Sequence, residues 1–355
     1  IQGIGGSLMT PVGKLALIKT FDKSELLKAM NFAIIPALIG PVLGPLIGGY
    51  MVDYLSWHWI FLINLPIGIL GIVLSVKYMP NYFSKIIDFD FKGFLFFAAA
   101  SLLLSISLEW MGNAKNITPV LLVFLMGFIF IYLYYRHAKK DENAIFPLDL
   151  FMVRTFRVGF LGNLATRLGI SSIPLLIPLM IQIAYGQSAV VSGWIVAPMA
   201  ITAMFGKSAV IKILNRFGYR KTLMFNTFLI GTLICLMAIP GINTSIYWFI
   251  PLILVLGFFN SIQFTSMNTI SISDLRDSHT SSGNSLISVN QQIAIGFGIA
   301  FGLIILKLFE GDTQLIKGNI HNAFRYTFLV MGILTILSGF VFRRLHFRDG
   351  DNMKS

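Results

Sequence analysis

The sequence predicts an all-α, polytopic membrane protein. Of its 355 residues, 56% are hydrophobic and only 12% are charged, which leaves too little polar surface for a soluble protein of this length. The apolar residues form runs of about 20, the length with which a helix crosses the hydrocarbon core of a bilayer. The net charge of +12 does not indicate a nucleic-acid surface, because the cations are scattered over the short connections between these runs.

About eleven transmembrane helices are expected from the apolar runs, the first of them incomplete. The uncharged stretch 222–273 is more than twice as long as one crossing, so it is expected to cross twice and to turn between Pro240 and Thr244. By the same reasoning, Tyr185 to Ser188 separates two spans. The predicted spans are 1–18, 29–52, 59–77, 93–110, 117–135, 158–183, 188–211, 222–240, 246–273, 283–306 and 325–342.

The distribution of lysine and arginine predicts how the chain is oriented. When the first span runs from outside to inside, 22 of the 27 cations fall in cytoplasmic connections, as the positive-inside rule requires. The longest of these connections, 136–157, contains the apolar segment Ile145 to Phe151, which is expected to lie partly on the membrane surface. The single cysteine, Cys235, lies in an apolar run and therefore predicts neither a disulfide framework nor a metal cluster.

One run, 29–52, carries a repeated glycine pattern. Three of its glycines recur at every fourth residue and form a bare stripe along one helix face, which lets another helix approach closely in lipid. Two interleaved prolines each remove a backbone donor and bias the helix to bend. The pattern consists of Gly40, Pro41, Gly44, Pro45, Gly48 and Gly49.

This pattern resembles the antiporter motif of the fifth transmembrane helix in exporters of the major facilitator superfamily. The segment 56–68, SWHWIFLINLPIG, resembles the start of the next span in the fourteen-span drug:proton antiporters of the EmrB/QacA type. The resemblance implies a major facilitator fold with about eleven of fourteen helices present, and hence an N-terminally truncated chain. It divides the chain into the remainder of the N-terminal helix bundle (spans 4 to 6, 1–85), two extra central spans (86–140) and the C-terminal six-helix bundle (141–355).

The function that the resemblance implies is proton-coupled efflux of drugs or other amphipathic toxic compounds by alternating access. The glycine-rich helix would seal the two bundles together and prevent leak. The expected partners of a monomer in the cell inner membrane are a small-molecule substrate, protons and the lipid bilayer, with no nucleic acid and no cofactor. Two alternatives stay open: export of a specific metabolite, siderophore or lipid on the same fold, and an inactive truncated membrane fragment.

The sequence does not indicate an enzyme, because it contains no Ser/His/Asp set, no metal-spaced histidines and no phosphate-binding loop. It also places no carboxylate in the middle of any predicted span. A proton antiporter needs a group that exchanges its proton between the two sides. In the family's pattern, that group is an aspartate of the first span.

Arg167 is the most informative single residue. It lies about eleven residues into its span, roughly 16 Å deep at about 1.5 Å per residue and close to the midplane. A charge at this depth should face the protein interior or a water-filled cavity, and Asn163 and Thr166 keep the stretch polar. Three roles stay open: binding an anionic substrate group, repelling a proton-loaded carboxylate, and holding carbonyl groups at a helix break.

Neutral polar side chains mark one face on each of two further spans. Amides in lipid need hydrogen-bonding partners, so both faces are expected to point inward. They either line an adaptable substrate cavity together with Asn163 and Arg167 or join helices by hydrogen bonds. The two sets are Asn260 and Gln263, which share a face with Met267, and Asn284, Ser288 and Gln291.

The internal connection NRFGYRK, residues 215–221, resembles the Asp-Arg-x-Gly-Arg-Arg loop signature of the superfamily, as its second-half copy. It departs from the signature where Asn215 replaces the aspartate and where Ile211 replaces a glycine. The resemblance implies a cytoplasmic gate in a rocking transporter, whereas anchoring by the positive-inside rule explains the same cations. The candidate gate residues are Arg216, Gly218, Arg220 and Lys221.

Overall fold

A computed structural model describes most of the chain. The described residues are 3, 5, 6, 9, 40, 43, 44, 46–79, 89–111, 117–141, 144–311 and 319–351, with the backbone alone described at 277, 278, 280 and 281. Within these residues the regular structure is entirely helical, which confirms the predicted all-α class. Eight helical segments there are long and apolar enough to cross a membrane.

Ten α-helices are numbered here in chain order. They are α1 (46–54), α2 (Trp59–Tyr78), α3 (Phe91–Met111), α4 (Ile117–Ala138), α5 (Arg154–Ile170), α6 (Ile173–Leu179), α7 (Ala189–Leu236), α8 (Phe249–Ile272), α9 (Asp277–Gly311) and α10 (Ile320–Ser338). Short 3-10 turns cover Leu148–Met152, Ile246–Trp248 and Gly339–Arg344, and a π-helical turn covers Met180–Ala184.

Predicted and observed spans agree closely between residue 59 and the end of α10. The apolar runs 59–77, 93–110 and 117–135 correspond to α2, α3 and α4, and non-helical residues separate helices at 185–188 and 239–245, as expected. The run 1–18 and the first part of 29–52 lie largely outside the described residues. The total of eleven spans therefore stays a prediction.

The two spans expected at 188–211 and 222–240 form one helical stretch with a sharp bend. Gly218 has φ 72° and ψ 165°, a backbone conformation that is essentially restricted to glycine because it lacks a Cβ. The chain therefore changes direction at one residue. Two helices thus meet at Gly218, within the expected connection 215–221.

The chain forms two compact units. The first comprises residues 1–88 and 188–200, and the second comprises 89–187 and 201–355. The start of α7 thus belongs with α1 and α2, whereas α3 and α4 belong to the second unit. The boundaries after residues 85 and 140 that the resemblance implies stay predictions.

Small residues occupy the helix crossings of the second unit, as expected where lipid removes the hydrophobic drive for association. A Cβ added to Gly231 of α7 would lie 2.7 Å from the carbonyl oxygen of Gly332 of α10. Gly298 and Gly302 of α9 likewise leave no room for a Cβ, because they press against the Arg167 carbonyl and Ser172. These contacts hold α5 firmly at the level of Arg167.

The apolar connection after α4 is buried in protein. Phe146 is 8% exposed and Leu150 is fully buried, and both pack in a cluster with Tyr134 and Phe156. The Tyr134 hydroxyl donates to the Phe146 carbonyl at 3.0 Å and accepts from the Phe146 N–H at 2.9 Å. Protein therefore covers Phe146 and Leu150, and the expectation that the segment lies partly on the membrane surface stays a prediction for its other residues.

Candidate functional site

A narrow cavity lies within the second unit among α5, α7, α8 and α10. Its volume is about 10 Å³, which is room for about one water-sized group. Arg167 is the one charged residue in its lining, and the other side chains are neutral amides, threonines and apolar groups. The lining residues are Thr166, Arg167, Ile170, Thr227, Ile230, Asn260, Gln263, Phe264, Met267 and Thr335.

The Arg167 side chain is held from two sides. Its Nε donates to Asn163 Oδ1 at 2.9 Å, a contact set by their spacing of one helical turn on α5. Its guanidinium carbon lies 4.9 Å from the centre of the Phe264 ring on α8, a distance typical of a cation–π contact. These two contacts fix the plane of the guanidinium group inside the cavity, which agrees with the predicted inward position.

Gln263 is the centre of a buried hydrogen-bond network. It is 2% exposed, accepts from Asn226 Nδ2 at 2.9 Å and donates to the Thr227 hydroxyl at 2.8 Å. Asn226 also donates to the Phe259 carbonyl at 2.8 Å, and Thr227 donates to the Leu223 carbonyl at 2.7 Å. The network joins α7 to α8 and supports one wall of the cavity. This agrees with both expected roles of Gln263, lining a cavity and joining helices by hydrogen bonds.

Sequence reasoning missed four of the residues that shape the cavity. Asn226 and Thr227 lie within an apolar run, where the rule that amides need partners would have marked Asn226. Thr335 gives no such signal, because its hydroxyl donates to the Met331 carbonyl of its own helix at 2.8 Å. Phe264 is one of 32 phenylalanines in the chain, so its place over Arg167 could not be recognised.

The three predicted residues of α9 take other positions. Asn284 and Ser288 are exposed on the second unit, and the Ser288 hydroxyl donates to the Asn284 carbonyl at 2.8 Å. Gln291 donates to Asn268 Oδ1 of α8. None of the three lines the cavity around Arg167, so a cargo-binding role for this set stays a prediction.

The predicted gate residues surround the bend of α7. The Arg216 guanidinium lies 5.4 Å from the Phe217 ring centre, and Lys221 Nζ lies 4.9 Å from that of Phe347. Arg220 is partly buried. Within the described part of the chain, these three cations take part in none of the ion pairs, and their gating role stays a prediction.

The glycine motif makes its close approach at its last residue. A Cβ added to Gly49 would lie 2.6 Å from the carbonyl oxygen of Ala189 and 3.0 Å from Val190 Cα. Added to Gly40, Gly44 or Gly48, it would meet nothing within 4 Å among the described residues. Pro41 and Pro45 lie outside the described residues.

Asp53, one turn after Gly49, caps the first turn of α7. Its carboxylate accepts from the Ala189 N–H at 3.3 Å and from the Val190 N–H at 2.8 Å. These amides have no partner within their own helix, and a negative charge is favoured at a helix N-terminus. Gly49, Asp53 and the start of α7 thus form one contact within the first unit, which we call the Gly49–Asp53 contact.

Comparisons with known proteins agree with this architecture. The family model described as Major Facilitator Superfamily matches residues 1–299 and also 159–354. The chain is similar to "Probable transport protein HsrA" of Haemophilus influenzae, with 40% identity over 355 residues, which is 100% of this chain and 76% of that protein.

Two further relatives carry the name "Putative multidrug resistance protein MdtD". The one from Pectobacterium atrosepticum is 38% identical over 350 residues, and the one from Escherichia coli is 36% identical over 349. Each alignment covers 97% of this chain and 74% of the relative. The family expected from the glycine motif is thus confirmed: the chain belongs to the major facilitator superfamily of multi-pass membrane transporters.

Proposed function

We propose that this transporter exports drugs or other amphipathic toxic compounds across the cell inner membrane by alternating access, driven by protons. The observation that carries the proposal is the cavity around Arg167, where one charge, neutral amides and apolar walls meet within the helices of the second unit. The names of the MdtD relatives support drugs as a cargo class. We also propose that the transporter acts as a monomer.

The lining of the cavity suits cargo that is partly polar and partly apolar. Ile170, Ile230 and Met267 offer apolar contact, and methionine adapts to irregular shapes because its side chain is unbranched and flexible. Arg167 and Asn260 offer polar contact on the same cavity. Ligand sites commonly combine mostly apolar walls with a few polar groups that fix orientation.

The Gly49–Asp53 contact supports a role in sealing the transporter. Its contacts are made by main-chain atoms of Ala189 and Val190, a bare glycine and one carboxylate. Such a contact can open without unpacking any large side chain. We propose that it closes the pathway in one state and limits proton leak.

Transport in proteoliposomes tests the proposal. The purified protein is reconstituted, a pH gradient is imposed, and movement of an amphipathic fluorescent dye is followed together with proton movement. Dye should move against protons, and collapse of the gradient by a protonophore should stop it. Dye movement that does not depend on the pH gradient would contradict proton coupling. If none of the dyes in a panel is transported, drug export is contradicted.

A further inference from the structure

We infer that the cavity binds an anionic group of its cargo through Arg167, so that amphipathic carboxylates are the preferred substrate class. The inference rests on the proposed export function and deepens it by naming the charge of the cargo. Four features of the described residues in the second unit lead to it: a charge without a carboxylate beside it, a hydrogen-bond fork without a partner, an unpartnered amide donor and an apolar wall.

Among the described residues, no counter-charge lies beside the positive charge of Arg167. The cavity lining contains no aspartate or glutamate, and the ion pairs of the described residues do not include Arg167. A charge within membrane-spanning helices is costly unless it is paired or hydrated. A bound anion would supply the missing charge.

The hydrogen-bonding fork of Arg167 is open. Only its Nε is engaged, with Asn163 Oδ1. Among the described residues, neither terminal nitrogen of the guanidinium group has a hydrogen-bond partner. Because Phe264 fixes the plane of the group, these two nitrogens form a pre-oriented pair of donors that matches a carboxylate.

Two polar neighbours of Arg167 are bonded to other groups, and a third leaves a donor without a partner. Gln263 Oε1 accepts from Asn226, and the Thr166 hydroxyl donates to the Gly162 carbonyl at 2.6 Å. Asn163 is fully buried, and its Nδ2 donor also has no partner. Among the described residues, the terminal nitrogens of Arg167 and Asn163 Nδ2 are therefore donors without a partner, and the oxygens of an anion would accept from them.

The remaining walls define the body of the cargo. The Phe264 ring and the side chains of Ile230 and Met267 line the same cavity, so the apolar part of the cargo next to the anionic group would meet apolar side chains. A cationic group of equal size would meet the Arg167 charge with no carboxylate to offset it. Discrimination against cations is therefore built into the site.

A panel of three probes that share one ring system tests the inference: 1-naphthoate, its neutral primary amide and 1-naphthylmethylamine. Transport of each is measured in proteoliposomes under the same imposed gradient. The carboxylate should have a KM lower than those of the amide and the amine by about tenfold or more, since one lost charge-assisted bidentate contact changes binding by at least that factor.

Two substitutions separate charge from shape. Arg167→Gln should abolish the preference for the carboxylate, whereas Arg167→Lys should keep part of it, because the charge remains but the fork is lost. The matched control is Arg343→Gln, an exposed arginine that also stacks on a phenylalanine, Phe340, at 5.6 Å. It should transport all three probes as the unchanged protein does.

The outcomes distinguish this inference from the export proposal. Transport that prefers the amine or the amide, or a carboxylate preference that survives Arg167→Gln, would overturn the inference and leave export standing. If no probe or dye is transported, but 1-naphthoate raises the melting temperature of the unchanged protein and not of Arg167→Gln, the binding inference stands and export fails. If the protein shows neither transport nor a melting shift, the inference and the export proposal are both overturned.

Discussion

The cavity of the second unit and the Gly49–Asp53 contact of the first are built in different ways. Side chains of four helices form the cavity, and hydrogen bonds from Asn226 through Gln263 to Thr227 fix its wall. The other contact joins a bare glycine and one carboxylate to backbone atoms of Ala189 and Val190. We propose that the first arrangement keeps its shape during transport, whereas the second separates and re-forms.

This difference suggests a division of tasks. A binding site gains from side chains that are held in place before the cargo arrives, because less ordering is then required on binding. A seal in an alternating-access transporter must be stable when closed and must open at little cost. The following predictions test that division, from the largest expected effect to the smallest.

Gly49→Leu should have the largest effect. Even a Cβ at this position would lie 2.6 Å from the Ala189 carbonyl oxygen, and backbone cannot give way as a flexible side chain can. We expect proton leak to rise and export to fall by about tenfold or more, as a clash of a few kcal/mol implies. Gly71→Leu on α2, outside the glycine motif, is the matched control, because a Cβ there meets nothing within 4 Å among the described residues. Equal leak in both variants would contradict the assigned contact.

Gln263→Leu should destabilise the second unit without opening the seal. It leaves Asn226 Nδ2 without one acceptor and Thr227 without one donor. The free energy of unfolding should fall by about 1–3 kcal/mol, the usual cost of unsatisfied buried groups. Asn284→Leu, at an exposed position of α9, should change it by less than about 0.5 kcal/mol. Thermal unfolding in detergent measures both, and a larger loss for Asn284→Leu would reverse our assignment of the supporting network.

Asp53→Asn should loosen the start of α7 by a smaller amount. The side chain keeps an acceptor oxygen but loses the charge, which is worth about 0.3–1 kcal/mol at a helix N-terminus. Hydrogen exchange at the Ala189 and Val190 amides should accelerate accordingly. Asp149→Asn, at an exposed carboxylate of the Leu148–Met152 turn, serves as the control. Unchanged exchange in Asp53→Asn would show that the charge does not hold the helix end.

Asp90 in the second unit sharpens the comparison, because its carboxylate also accepts backbone N–H groups. Burial alone would raise the pKa of Asp90, but hydrogen bonds from the Gly93 N–H, His137 and the Ile145 N–H outweigh it and hold the pKa below the ordinary value of 3.8. The ionised form therefore stabilises the fold at neutral pH, and this stabilisation is lost as the pH falls through the lowered pKa.

We expect the connection after α4 to stay docked down to about pH 4 and to loosen only at lower pH. Protease cleavage of this connection, followed from pH 6 to pH 3 with an acid-active protease, measures the change. The connection in the Asp90→Asn variant should be cleaved faster at all of these pH values, and its cleavage rate should lose most of its pH dependence. A protein that loosens already at pH 5 would show that another group controls docking.

The sequence predicted the features that depend on one helix at a time. Span positions follow from apolar runs, and Arg167 with Asn163 stood out because charge and amide are rare in lipid-spanning segments. Features that depend on two helices were harder to predict. Thr227 and Thr335 reach the cavity only because α7 and α10 are rotated toward α8, and threonine can satisfy its own hydroxyl within a helix.

The same limit applies outside the cavity. The motif that ends at Gly49 predicted a close approach, but its partner, the start of α7, is distant in sequence. The segment from Ile145 to Phe151 was expected to lie partly on the membrane surface. The cover over Phe146 and Leu150 could not be predicted, because it is formed by residues of other helices, including Tyr134 and Phe156.

The central claim is that cargo occupies the cavity around Arg167, and accessibility of a cysteine at Asn260 tests it most directly. Cys235 is the single cysteine of the chain, so Cys235→Ser provides a background without thiols. In that background, Asn260→Cys should react with a water-soluble methanethiosulfonate reagent, and 1-naphthoate should slow the reaction. Val255→Cys, at an exposed position on the same helix, should show no such protection. An Asn260→Cys thiol that is unreactive, or equally reactive with and without cargo, would contradict the account.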